Sequence, residues 1–117
     1  MSAREHFDPT GYLVYRAPSI FDTDAAAEMI DDLMHATASS PYLAIDMRGV
    51  QLMTSAAVTV LLWAHRRTKT MNGQMVLVAV PHGASATIAV AGASEVFQRV
   101  RHLGEAAPVP GRHMQTA

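Results

Sequence analysis

The chain has 117 residues, half of them hydrophobic, which suits one domain with a real core and leaves no room for a second. Nine Lys and Arg stand against ten Asp and Glu, a net charge of -1 that gives no electrostatic basis for gripping a nucleic-acid backbone. With no Cys there is no disulfide framework, redox pair or thiolate metal site.

Residues 1–7 lack the apolar stretch of a secretory signal, and no segment reaches the roughly 18 apolar residues of a membrane span. A soluble, cytoplasmic protein is expected. Arg4 to Phe7 and Tyr12 to Arg16 read as the arms of a hairpin around Asp8-Pro9-Thr10-Gly11, and Pro18 ends the second arm. Ser19 to Asp22 reads as a loop. Ala26, Met29, Ile30, Leu33 and Met34 then repeat at helical spacing, with Glu28, Asp31, Asp32 and His35 opposite. Thr23 or Asp24 is the expected cap of this first helix, and Ser39-Ser40-Pro41 its end.

Tyr42 to Met47 and Met75 to Val80 read as strands, the second apolar enough to be covered on both faces. Between them a helix is expected over about Ala56 to Met71. Val58, Leu61, Leu62 and His65 form its inner stripe, and Asn72-Gly73 stops it. Such a strand, helix, strand unit implies parallel pairing. A small helix over about Ala84 to Ala91, with Ala84, Thr87, Ile88 and Ala91 inward, ends at Gly92. Val96 to Arg101 reads as a last, half-exposed strand, and 105–117 as a short turn or helix followed by a mobile tail.

The histidines at 6, 35, 65, 82, 102 and 113 never fall three or four apart, so no helix face offers a pair of metal ligands. Neither a metal nor a cofactor is expected. His65 reads as a satisfied core or boundary residue. No phosphate-binding glycine loop, nucleophile elbow or HExxH occurs, and the chain is read as a non-enzyme. Asp22 and Asp24 are explained as loop and cap residues, while Asp46, interrupting an apolar strand, needs a partner in the following loop or at Arg48.

The most informative stretch is Val50-Gln51-Leu52-Met53-Thr54-Ser55-Ala56-Ala57-Val58, where two hydroxyl residues precede the second helix. Ser55 is a natural N-cap there. It is also a place where a phosphate would meet the positive end of a helix and add about two negative charges to an exposed loop.

At this point the sequence resembles the STAS domain, the fold of bacterial anti-sigma factor antagonists, over about Tyr12 to Leu103. Tyr42 to Val50 resembles the family's strand and its exit, and Arg66 to Val78 its helix end and following strand. Val90-Ala91-Gly92-Ala93-Ser94-Glu95-Val96-Phe97 and Ser19-Ile20-Phe21-Asp22 resemble two further family segments. The resemblance implies an α/β fold: a mixed sheet of about four to five strands, an N-terminal hairpin plus parallel strands, with helices packed against it.

It also implies binding to a kinase-fold anti-sigma factor, the antagonist being released by phosphorylation of a serine in a D-S-[ST]-G-L turn. That serine falls on Ser55. Thr54 stands for the aspartate and is a second candidate acceptor, Ala56 replaces the second hydroxyl, Ala57 the glycine and Val58 the leucine. Asp22, Thr54, Ser55, Ala56, Ala57, Thr59 and Trp63 would form the contact surface, although Trp63 at helical spacing from Val60 also reads as packing. A weak homodimer is left open. The alternatives are a STAS scaffold or transporter-associated subunit without the switch, and a small-ligand sensor with a cavity beneath the small-residue helix.

Overall fold

A computed structural model describes residues 4–36 and 40–110. The hairpin is present: β1 (Glu5–Phe7) runs antiparallel to β2 (Leu13–Arg16), with Phe7 opposite Leu13. Its turn closes through Gly11 N–H to Asp8 O at 2.9 Å, and Gly11 takes a φ of 95°, open to glycine at little steric cost. Asp8 Oδ2 accepts from both the N–H and the hydroxyl of Thr10, at 3.0 and 2.7 Å.

Two residues of the expected loop, Ile20–Phe21, form a short strand β3, paired in parallel with β5 (Leu52–Met53) as a separate two-stranded sheet. Between them lie helix α1 (Thr23–Ala36) and strand β4 (Tyr42–Asp46). Asp22, rather than Thr23 or Asp24, caps α1: its Oδ1 accepts from Ala25 N–H at 3.1 Å and its carbonyl from Ala26 N–H at 2.8 Å. Ala26, Met29 and Leu33 are buried as the spacing predicts, but Met34 is 48% exposed. The expected helix stop at Ser39 lies outside the described residues; Ser40 N-terminal to Pro41 is buried.

Helix α2 (Ser55–Thr70) returns the chain to strand β6 (Gln74–Val78). Its end is a Schellman arrangement: Gly73 N–H donates to Thr68 O at 2.8 Å and Asn72 N–H to Lys69 O at 3.0 Å. Asn72, not Gly73, takes the left-handed φ of 60°. Strand β6 stops two residues before the expected end because Ala79 turns left-handed at φ 55°. Helix α3 (His82–Val90) starts earlier than its apolar stripe, and Ala91 is its exposed C-cap rather than an inward residue. The last strand, β7 (Gln98–Val100), is shorter than expected because Val96 and Phe97 belong to the preceding turn.

The main sheet has the order β1-β2-β4-β6-β7, with every pair parallel except β1 and β2. One face carries Leu13, Tyr15, Leu43, Ile45, Met75 and Leu77 into a core shared with all three helices. The opposite face, with Tyr12, Val14, Ala44, Val76 and Val78, meets no helix. It is covered instead by Leu103, which opens a 3-10 turn at Leu103–Glu105, and by Ala106 and Val109 after it. Tyr12 fastens this strap, its hydroxyl donating to Ala107 O at 2.7 Å and accepting from the Gln74 side-chain amide. Within the span expected as a short turn or helix followed by a tail, Ala106 and Val109 are half-buried against this face and the other residues of 105–110 are exposed; 111–117 lie outside the described residues. The Arg101 N–H on Glu105, at 2.7 Å, holds that carboxyl below its ordinary range.

Candidate functional site

The β3–β5 pair positions the site. Gln51 and Leu52 N–H both donate to Ser19 O, at 2.8 and 3.1 Å, and Thr54 N–H donates to Phe21 O at 3.0 Å. Two helices therefore leave adjacent parallel strands side by side, α1 after Phe21 and α2 after Met53. Their positive ends lie on the same rim.

Thr54 is the N-cap of α2, with extended backbone at φ -102° and ψ 168°, and its side chain makes no capping hydrogen bond. The hydroxyl points back to Phe21 O at a long 3.5 Å. Ser55, expected as the cap, is instead the first helical residue, and its side chain is exposed. The shift arises because the β3 contact keeps Thr54 extended. The first turn of α2 holds no acidic residue, so no carboxylate neutralises the free N–H groups at that end.

On either side of this turn the surface is apolar. Ile20 and Leu52, facing partners in the β3–β5 register, are 56% and 55% exposed. The sequence reading missed this pair, since a two-residue strand leaves no periodicity; an apolar residue beside Phe21 and another beside Met53 were the only signals. One turn along α2, Thr59 is exposed, its hydroxyl donating to Ser55 O at 3.2 Å.

The expected contact residues divide accordingly. Ser55 and Thr59 are exposed, while Asp22, Thr54 and Ala56 are half-buried on the same rim. Ala57 is fully buried in the main core and presents nothing to a partner, a correction that follows from its place on the inner face of α2. Trp63 packs partly against that core two turns further on, and the Arg67 guanidinium lies 5.8 Å from its ring centroid. Asp46 is answered as expected, its Oδ1 accepting from Arg48 N–H at 3.0 Å.

His65 differs from its expected state. It lies edge-on to Phe97 with ring centroids 6.1 Å apart, and its Nδ1 is buried without a hydrogen-bond partner. Burial, then the charges of Lys69 and Arg66, lower its pKa. Burial and the Asp32 carboxylate, which accepts its hydroxyl at 3.1 Å, push Tyr15 well above the ordinary tyrosine value. Neither group adjoins the Thr54–Ser55 turn. Two surface depressions, of about 330 and 290 Å³, are lined by residues of the β6–β7 rim and of the α2 C-terminal half, and neither includes a residue of α3. Among the described residues no group of three or more His, Asp or Glu could hold a metal ion, and no helix is long and apolar enough to cross a membrane.

Comparison with known proteins adds the family. The STAS domain model matches residues 3–106. Among solved structures, the chain superimposes on a protein assigned as an anti-sigma factor antagonist of Thermotoga maritima with a TM-score of 0.77, at 8% identity, over 86% of this chain and 87% of that one. An anti-sigma-factor antagonist (STAS) domain protein from Planctomyces limnophilus gives a TM-score of 0.76, at 18% identity, over 97% of each chain. At these identities the likeness is one of fold. No curated protein matches by sequence.

Proposed function

Because this chain belongs to the STAS domain family, we propose that it is an anti-sigma factor antagonist acting in the cytoplasm of a bacterial cell, switched by phosphorylation of Ser55. It is a binding module, and its partner is a kinase-fold anti-sigma factor. The observation that carries the reading is the setting of Ser55: exposed, on the first turn of a 16-residue helix without an acid in that turn, beside the exposed Ile20–Leu52 pair.

That setting makes a physical switch. An unmodified Ser55 rim can be covered by a partner, since the apolar pair gains by burial and a hydroxyl is easily satisfied. A phosphate adds about two negative charges at the same point. The helix end tolerates them in the free protein, but enclosing them against a partner costs several kcal/mol unless a cation meets them. Modification therefore releases the partner while the fold stays intact. Between the two candidate acceptors Ser55 is favoured, because Thr54 is half-buried with its hydroxyl turned toward Phe21 O. The changes from the family turn weigh little on the backbone, as Ala57 sits inside a regular helix.

The test is affinity capture from native lysate with wild type and a folded Ser55→Asp variant as parallel baits. A kinase-fold protein recovered by wild type and lost with the variant is the expected result. Recovery of the same transporter or scaffold components by both baits would replace the switch with a constitutive assembly role.

A further inference from the structure

The outward face of α2 continues beyond Ser55 and Thr59 into a shallow groove of about 290 Å³, bounded by Trp63, Arg66, Arg67, Thr70 and Met71. It joins an aromatic wall to a basic rim, and Lys69 adds a further exposed charge in the last turn. Next to it, α1 shows the opposite character. Asp24, Glu28 and Asp31 are exposed at helical spacing, with Met34, 48% exposed, at the end of the same stripe. Asp22, Asp24, Glu28, Asp31 and Asp32 account for five of the chain's ten acidic residues. Asp32 is engaged by Tyr15, but among the described residues neither Glu28, Asp31 nor Arg66 forms an ion pair.

We propose that the occupant of the α2 groove is a second copy of this chain, which lays the acidic face of its α1 along Trp63 and Arg66. The two helices pack side by side on one face of the sheet. A two-fold axis parallel to them sets α1 of each copy over α2 of the other, so both contacts form at once and the interface closes. The lengths match: α1 has 14 residues and α2 has 16. Met34 supplies the apolar anchor that the Trp63 and Met71 walls can cover, and the charges fix orientation more than they add affinity. The complement to the groove is thus carried by the chain itself, on a helix of the right length and sign. This inference does not rest on the switch at Ser55.

The test is sedimentation equilibrium of the full chain as wild type, Arg66→Glu, Asp31→Lys and an equimolar mixture of the two variants, with Glu28→Lys as a second acidic-side variant and far-UV circular dichroism confirming each fold. Wild type is expected to dimerise, more weakly as salt rises. Each reversal should raise the dissociation constant about tenfold or more, and mixing the two variants should restore association as a heterodimer. Trp63 is the only tryptophan, so its emission should shift to the blue with rising wild-type concentration and not with either variant alone. A wild type that stays monomeric at millimolar protein, reversals that leave association unchanged, or a mixture that remains monomeric would each overturn the proposal.

Discussion

The Thr87 hydroxyl on α3 donates to the main-chain carbonyl of Met53 at 3.3 Å, and shares its proton with Gly83 O at 3.2 Å. The first of these bonds ties the small helix to the strand immediately before Thr54 and Ser55. Removing it with Thr87→Val should cost about 1 kcal/mol of global stability in urea titrations, the usual value of one such bond. The local signature matters more: amide exchange should quicken at Thr54 to Ala57 more than in β4 or β6. Uniform acceleration would mean that Thr87 supports the fold in general and not the turn.

At the other end of α2, Gly73 and Asn72 divide two roles. A Cβ placed on Gly73 would lie 2.0 Å from Pro41 O, so backbone would have to move, whereas Asn72 carries the left-handed φ. Gly73→Ala is expected to destabilise by about 2–4 kcal/mol, in the range of overpacked sites. Asn72→Gly should be neutral or stabilise by less than about 1 kcal/mol. Thermal and denaturant midpoints measure both, and a harmless Gly73→Ala would refute the close approach of Pro41.

His65 gives stability a pH dependence of known sign. Its pKa in the folded chain lies below the ordinary 6.5, so as pH falls through that value the unfolded chain takes up the proton first. Stability contributed by the neutral ring is complete above the unfolded value, declines as pH drops below it, and levels off once the folded-state pKa is passed. His65→Leu should flatten this part of the stability profile relative to wild type. Parallel profiles for the two proteins, measured by chemical denaturation across mildly acidic pH, would rule out the buried imidazole as the source.

Tyr12 is the clasp of the back-face strap. Tyr12→Phe keeps the ring, including its edge contact with Tyr42 at 6.2 Å between centroids, and removes only the hydroxyl that serves Ala107 O and Gln74. A loss of about 1–2 kcal/mol is expected, with faster proteolysis near residues 103–110 than in the helices. Equal protection of that segment in both proteins would show that Leu103, Ala106 and Val109 hold it by packing alone.

What could be read in advance follows from how each element declares itself. Ala26, Met29 and Leu33 repeat with the helix, and Met75 to Val78 is apolar without a break, so α1 and β6 were legible with their partners. Helix caps fell earlier than expected, at Asp22 instead of Thr23 or Asp24 and at Thr54 instead of Ser55, because Asp, Thr and Ser in a row offer equivalent caps and only the β3–β5 contact selects among them. The packing of Leu103, Ala106 and Val109 was less legible for a related reason. Their three-residue spacing suits a 3-10 or helical turn, but which surface it covers is fixed only by the bare sheet face. For the candidate site, the exposure of Ser55 and Thr59 was legible in the sequence, whereas the burial of Ala57 and the exposure of Ile20 and Leu52 depended on which way two short strands turned.

Both rims of the five-stranded sheet are only three residues long, Glu5–Phe7 on one side and Gln98–Val100 on the other. The second rim carries Arg99, whose guanidinium is drawn onto Ser85 and Ser94 O, and is followed by the exposed Arg101. Short, charged borders are poor templates for another strand, so copies of this protein cannot readily join by extending one sheet into the next. Crowding in a cell then carries little danger of fibre growth through the borders of this sheet.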